Sequence, residues 1–212
     1  MHIEFLVEEP SAEVALRGFL PRILPARVSF AIRVFQGKQD LIKQLPKRLR
    51  AYPTWLPQNY GPNWYIVVLL DRDLADCHRL KDQLERIAAE KGLPTRTRPG
   101  TDGTYRVINR IVVEELESWF FGDRQALQRA FPQLKPNQLR GRSFTEPDAI
   151  RGGTWEKLAR LLSRQYPRGM PKKEVAMLVS AHMTPSSNRS HSFQVFSQAL
   201  TDLLVRHGIA CE

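Results

Sequence analysis

Cysteine is scarce here: Cys77 and Cys211 are the only two among 212 residues. Two distant cysteines form neither a disulfide framework nor a zinc site, so both are expected to be free thiols. No apolar run approaches the roughly 18–20 residues that span a bilayer. The opening Met1-His2-Ile3-Glu4 turns acidic at Glu8-Glu9 and lacks the basic stretch of a signal peptide. The expected compartment is therefore the cytoplasm, with no membrane partner. Neither GxGxxG nor GxxxxGK[ST] occurs, which disfavours a dinucleotide cofactor and a P-loop nucleotide. A Gly-x-Ser-x-Gly elbow is missing too, and the five histidines do not fall into a His-Glu-x-x-His spacing. There is no internal repeat and no low-complexity tract.

What the chain does have is positive charge. The formal net charge is +10, with 32 Lys and Arg against 22 Asp and Glu. A surplus of that size attracts polyanions, of which nucleic acid is the commonest in a cell. Basic residues recur at Lys47, Arg48 and Arg50, at Arg96 and Arg98, at Arg140 and Arg142, and at Lys172 and Lys173. Lys47, Arg48, Arg50, Arg110, Lys172, Lys173 and Arg189 are the candidate nucleic-acid contacts. Tyr52, Trp55 and Tyr60 are candidates for stacking on bases, or else for packing within the protein.

Hydrophobic patterning predicts an alternation of strands and helices. Ile3–Val7 reads as a buried strand, followed by a helix from Pro10-Ser11 with Ser11 as its N-cap. Val28–Phe35 reads as a second strand. A basic helix follows over Lys38–Tyr52, bent or split by Pro46. Pro53–Asn63 is expected to be a structured loop. Trp64–Leu70 is continuously apolar, as in a central parallel strand covered on both faces. A helix is expected over Ala75–Lys91, a short strand over Thr95–Arg98, and a strand over Tyr105–Val113. That last strand should lead directly into a helix over Glu114–Phe121. Further helices are expected at Arg124–Phe131, Thr154–Gln165, Lys172–His182 and Phe193–His207, the last capped by Ser190 or Ser192. The expected fold class is α/β, with a mainly parallel sheet of about four strands flanked by helices and a helical C-terminal layer. The division read from sequence is a core over 1–123 and a helical extension over 124–212, forming a single structural unit.

Acids stand at three strand ends: Glu8-Glu9, Asp71-Arg72-Asp73, and Glu114, Glu115 and Glu117. Open parallel sheets bind ligands at the carboxyl ends of their strands. Carboxylates crowded in a poorly solvated cleft repel one another, and a divalent cation relieves that repulsion. Hard oxygen donors suit Mg²⁺ or Mn²⁺. Each group also has a structural reading. Glu8-Glu9 and the later glutamates suit the first turn of a helix, and Asp71 and Asp73 suit a turn.

The stretches Phe5-Leu6-Val7-Glu8-Glu9 and Val68-Leu69-Leu70-Asp71-Arg72-Asp73 resemble the Toprim pattern of topoisomerases, primases and overcoming-lysogenisation-defect nucleases. More closely, the chain resembles a bacterial domain-of-unknown-function family numbered four-two-seven-six. That resemblance is carried by Phe5-Leu6-Val7-Glu8-Glu9-Pro10-Ser11, by Arg110-Ile111-Val112-Val113-Glu114-Glu115-Leu116-Glu117-Ser118-Trp119-Phe120-Phe121-Gly122-Asp123, and by Asn188-Arg189-Ser190-x-Ser192-Phe193. It implies a Toprim-like fold with Glu8 as general acid/base or metal ligand, and with Asp71 and Asp73 as metal ligands. Glu114 and Glu117, at i and i+3 on one helical face, would hold or orient a further ion. The resemblance also implies a neighbouring ATPase of the AAA or ABC type and a role in anti-phage defence. Glu9-Pro10 departs from the pattern, since many Toprim enzymes have Gly after the Glu. The expected function is Mg²⁺- or Mn²⁺-dependent phosphodiester hydrolysis. A binding module without catalysis and a phosphoacceptor using Asp71 stand as alternatives, and a homo-oligomer is left open.

Overall fold

Six consecutive buried residues, His2–Val7, form the first strand, β1. In the computed structural model, which describes residues 1–210, β1 is followed by α1 (Pro10–Phe19), β2 (Ser29–Val34) and α2 (Lys38–Tyr60). Next come β3 (Trp64–Asp71), α3 (Cys77–Ala89) and β4 (Val107–Val112). Among the described residues six α-helices follow: α4 (Glu117–Gly122), α5 (Arg124–Ala130), α6 (Arg142–Thr145), α7 (Thr154–Leu161), α8 (Lys172–Ser180) and α9 (His191–Arg206). Cys77 is a free, half-buried thiol, and Cys211 lies outside the described residues. Among the described residues no helix is long and apolar enough to cross a membrane.

The four strands form one parallel sheet in the order β2-β1-β3-β4. β1 pairs with β2 from His2↔Ser29 to Val7↔Val34, and with β3 from His2↔Trp64 to Val7↔Leu69. The α/β class and the four-stranded sheet therefore follow the sequence reading. One sheet face, made of Leu6, Ile66, Val68, Leu70 and Val107, packs with residues of α2 and α3 in a single apolar cluster. Residues of the other face, Ile3, Phe5, Val7 and Val67, are equally buried. Burial on both sides is why β1 and β3 read as unbroken apolar runs rather than as alternations.

Four local expectations need correction. Pro53–Asn63 is not a loop, because α2 runs on to Tyr60 with Pro46, Pro53 and Pro57 inside it. Each internal proline costs a helix about 3 kcal/mol. Leu41, Leu45, Leu49, Tyr52 and Leu56 make one buried stripe along the helix, and burying an apolar side chain returns about 1.5–3 kcal/mol. The helix after β4 begins at Glu117 rather than Glu114. Ser11 is not a cap, since α1 starts at Pro10 and Ser11 is buried in its first turn. In addition, Thr95–Arg98 reduces to a single bridge, Thr95↔Val107. Ser190 does cap α9, accepting from the Phe193 N–H.

The chain forms two compact units: Met1–Pro10 with Ala26–Ile111, and Ser11–Pro25 with everything from Val112 onward. The sheet and its α2–α3 layer make the first. The second is helical, and its core gathers Phe19, Trp119, Phe193 and Phe196, all at most 1% exposed. Their ring centroids lie 5.0–6.3 Å apart, so α1, α4 and α9 meet there.

Candidate functional site

The strand order has a physical consequence. From β1 the chain passes to β2 on one side, then returns to β3 on the other. Where such a reversal occurs, the two connections diverge and leave a crevice at the carboxyl ends of the strands, the usual ligand position in open α/β sheets. Here the reversal lies between β1 and β3. Glu8 follows the first of these strands and Asp71 ends the second.

Backbone geometry draws three segments together at that point. Glu8 Oε1 accepts from the Asp71 N–H at 2.7 Å. The Glu8 carbonyl accepts from the Gly37 N–H at 2.8 Å, which brings the start of α2 to the end of β1. Gly37 precedes α2 with φ 93°, a backbone that glycine adopts without strain. The next residue, Lys38, donates from Nζ to Asp73 Oδ2 at 2.5 Å and to the Arg72 carbonyl at 3.2 Å. Asp73 itself has φ 50°.

Glu8 is only 9% exposed. Burial pushes its carboxyl up to about 7, and the charges of Asp73 and Glu9 add to the rise. The Asp71 N–H and the Lys38 ammonium act against it. A carboxyl poised there exchanges a proton near neutrality, as general acid/base chemistry requires.

The later acids behave differently. Glu114 and Glu117 belong to the second unit. Glu114 has φ 44° and precedes α4, so the two do not share a helical face. The reason lies in Glu115, whose Oε2 accepts from Thr154 Oγ1 and the Trp155 N–H, both at 2.9 Å, and so ties the segment to the start of α7. Glu114 lies 3.8 Å from Arg151, and Glu117 is buried in α4. Among the described residues, Asp73 and Glu114 are the two non-glycine positions with a left-handed backbone. Such conformations cost about 1–3 kcal/mol and concentrate at functional sites.

Among the described residues no three His, Cys, Asp or Glu side chains are gathered as a metal centre. The chemistry of the first-unit donors nonetheless fits a hard divalent cation. Glu8, Asp71 and Asp73 offer carboxylate oxygens, and the Glu8 carboxyl, raised first by burial and then by the charges of Asp73 and Glu9, is of the kind that a cation would return to its ionised form.

The proposed nucleic-acid contacts are scattered. Lys47, Arg48 and Arg50 are exposed on α2. Arg110, on β4, is 8% exposed and donates to the Asn109 carbonyl. Lys172 lies 5.0 Å from the Trp155 ring, Lys173 adjoins it at the start of α8, and Arg189 is exposed in the second unit. Of the three aromatics, Tyr52 is buried and donates to Glu4. Trp55 and Tyr60 are exposed, and Tyr60 stacks on His2 at 3.5 Å.

Sequence reading missed a buried knot in the second unit. Trp119 Nε1 donates to Ser192 Oγ at 2.9 Å, and Asn188 Nδ2 donates to the Trp119 carbonyl at 2.8 Å. Asp148 accepts from Ser190 Oγ at 2.6 Å and from the Ser192 N–H at 2.7 Å. The Glu-Ser-Trp and Asn-Arg-Ser-x-Ser stretches thus bind each other, although about 70 residues separate them. Only the polarity of Asn188–Ser192 signalled this. Gly122 sits inside the knot, where an added Cβ would stand on Asn188 Oδ1 and 2.8 Å from the Ser190 nitrogen. Gly122→Ala is expected to cost about 2 kcal/mol, because backbone as well as side chain must give way. A thermal melt should show a fall of roughly 5 °C, and an unchanged melting temperature would refute the close fit.

A family model described as Domain of unknown function (DUF4276) matches residues 7–201. The solved C-terminal region of the OLD protein of Xanthomonas campestris pv. campestris is similar at a TM-score of 0.44, with 16% identity over 97% of each chain. Among curated proteins none matches this sequence.

Proposed function

This chain belongs to the DUF4276 family of domains of unknown function, and from that premise and the site geometry we propose that it is a divalent-metal-dependent nuclease of Toprim type. The observation that carries the reading is Glu8. It is a buried carboxyl at the strand-order reversal, raised to about 7 and hydrogen-bonded to the backbone that presents Asp71. The net charge of +10 supports a polyanionic substrate.

In this reading Glu8, Asp71 and Asp73 hold Mg²⁺ or Mn²⁺. When bound, the ion supplies Lewis-acid polarisation of a phosphodiester and neutralises developing charge. Left uncoordinated, the Glu8 carboxyl, raised to about 7, would instead hold or release the proton that hydrolysis requires. The Glu8–Asp71 hydrogen bond fixes the orientation of the first carboxylate relative to the end of β3. Lys38, paired with Asp73, would stand where it could also meet phosphate oxygens of a substrate. Glu114 and Glu117 remain proposed as ligands of a second ion. On the family resemblance alone, the proposal extends to a neighbouring ATPase partner and to anti-phage defence.

A second reading is a nucleic-acid- or ATPase-binding module without catalysis. The Lys38–Asp73 ion pair favours it, since an internal cation already satisfies one of the acids.

The test is cleavage of a panel of plasmid, single-stranded DNA and total tRNA with Mn²⁺, with Mg²⁺ and with chelator. We expect at least one substrate to be cut with metal and none with chelator. Failure to cut any substrate, with or without the neighbouring ATPase, together with no Mn²⁺ binding by calorimetry, would sink the nuclease reading.

A further inference from the structure

We propose that the second unit carries its own binding track for a nucleic-acid phosphate backbone, built on Arg124, Arg140 and Arg189 and continued by Lys157 and Arg160. The proposal rests on the reading that this chain acts on nucleic acid, and it names the surface that would do the holding.

Two adjoining hollows define the track. The first, about 250 Å³, is lined by Arg124, Arg140 and Arg189, with Gln125, Thr145 and Ser187 as further polar groups. The second, about 580 Å³, shares Arg140, Gly141 and Phe144 with the first and adds Lys157 and Arg160. Arg140 therefore stands between two concavities. Two joined sites suit consecutive phosphates of one chain better than a single small anion.

The charge is uncompensated. Among the described residues, none of the side chains of Arg124, Arg140, Arg189, Lys157 and Arg160 has a hydrogen-bond or ion-pair partner. By contrast, Arg142, which also lines the second hollow, pairs with Glu146 at 2.9 Å. One acid, Asp123, lines the first hollow, but it is only 3% exposed. Its two oxygens are taken by the N–H groups of Ala126, at 2.9 Å, and Thr184, at 2.6 Å. Like charges gathered without counter-charge repel one another and destabilise the fold. A polyanion removes that repulsion and releases its own counterions on binding.

One of the cations is also held in place. The Arg189 N–H donates to the Gly122 carbonyl at 2.9 Å. Its neighbours are fixed by Asn188 Nδ2 on the Trp119 carbonyl, by the Ser190 N–H on Asn188 Oδ1, and by Gln194 Nε2 on the Asn188 carbonyl. The knot that links the two sequence stretches thus ends in an exposed guanidinium on a rigid stem. Pre-organised display of this kind lowers the ordering cost of binding.

The test is fluorescence anisotropy with a labelled oligonucleotide in chelator, so that catalysis plays no part, across a salt series. Arg140→Ala/Arg189→Ala should weaken binding about 10- to 100-fold and lower the magnitude of the log–log salt slope by roughly 1.5–2, two phosphate contacts being lost. Arg124→Ala/Lys157→Ala should do the same, and Arg86→Ala, an exposed arginine on α3 outside both hollows, should bind as wild type. Melting curves of each variant confirm folding. Wild-type affinity and salt slope in both arginine-track variants would overturn the proposal while leaving the cleavage reading intact. Equal competition by inorganic phosphate at the same charge concentration would overturn it as well, since a backbone track prefers a chain of phosphates.

Discussion

Glu8→Gln should lower metal-dependent cleavage by about 10²–10⁴-fold, the range in which a positioned proton-transfer group contributes. The substitution is chosen because glutamine keeps an oxygen to accept from the Asp71 N–H. The crevice keeps its shape while losing a charge and a titratable proton. It should also change stability in the opposite sense. The Glu8 carboxyl is raised from 4.5 to about 7, so the folded chain binds this proton more tightly than the unfolded chain does. Wild-type stability contributed by this group is fully present below 4.5 and is lost as pH rises through about 7. Glutamine has no proton to lose. Melts in chelator should therefore show the variant gaining on the wild type as pH rises across that window. A variant both inactive and relatively more stable at alkaline pH is the signature of a functional group kept against the interest of the fold. Full activity in Glu8→Gln would remove Glu8 from the mechanism.

Glu4→Ala should cost about 3 kcal/mol, the scale for removing one member of a buried charged network. Glu4 is fully buried on β1. Its Oε1 accepts from Arg33 Nε at 2.7 Å and from the Tyr52 hydroxyl at 3.3 Å, while Oε2 lies 3.3 Å from His2 Nε2. Burial alone would raise its carboxyl, but the His2 and Arg33 hydrogen bonds and charges outweigh that and hold it below 4.5. The sign is thus opposite to that of Glu8. Its contribution is present above 4.5 and is lost as pH falls through the folded value. A fall in melting temperature of roughly 6–12 °C at neutral pH is expected, shrinking in acid, where the wild type loses the same interaction. Equal melts at neutral pH would show that Arg33, half exposed, carries no weight in the network.

These opposite carboxylates show what sequence can and cannot reveal. β1 and β3 were legible because both faces are buried and the residues run apolar without a break. The places of Glu8 and Asp71 at the ends of these strands were legible because such runs ended at acids. The far half of α2 was not, since Pro53 and Pro57 are strong local signals against a helix, and only the stripe from Leu41 to Leu56 overrides them. The start of α4 was misread because Glu115 is committed to the N–H of Trp155, a residue 40 positions away. The unpaired state of Arg124, Arg140 and Arg189 has no sequence signature at all. It depends on which acids approach them, and that is a property of the folded surface.

The position of α1 has a cost in time. The Arg22 guanidinium, just past that helix, donates to the Met183 carbonyl across 161 residues. A ribosome adding about 5–20 residues per second needs roughly 8–30 s to supply that partner. The strands of the sheet are all synthesised by Val112, but Phe19 meets Trp119, Phe193 and Phe196 only after α4 and α9 have emerged. Completion of that aromatic core thus waits on α9, long after the last strand of the sheet has been made.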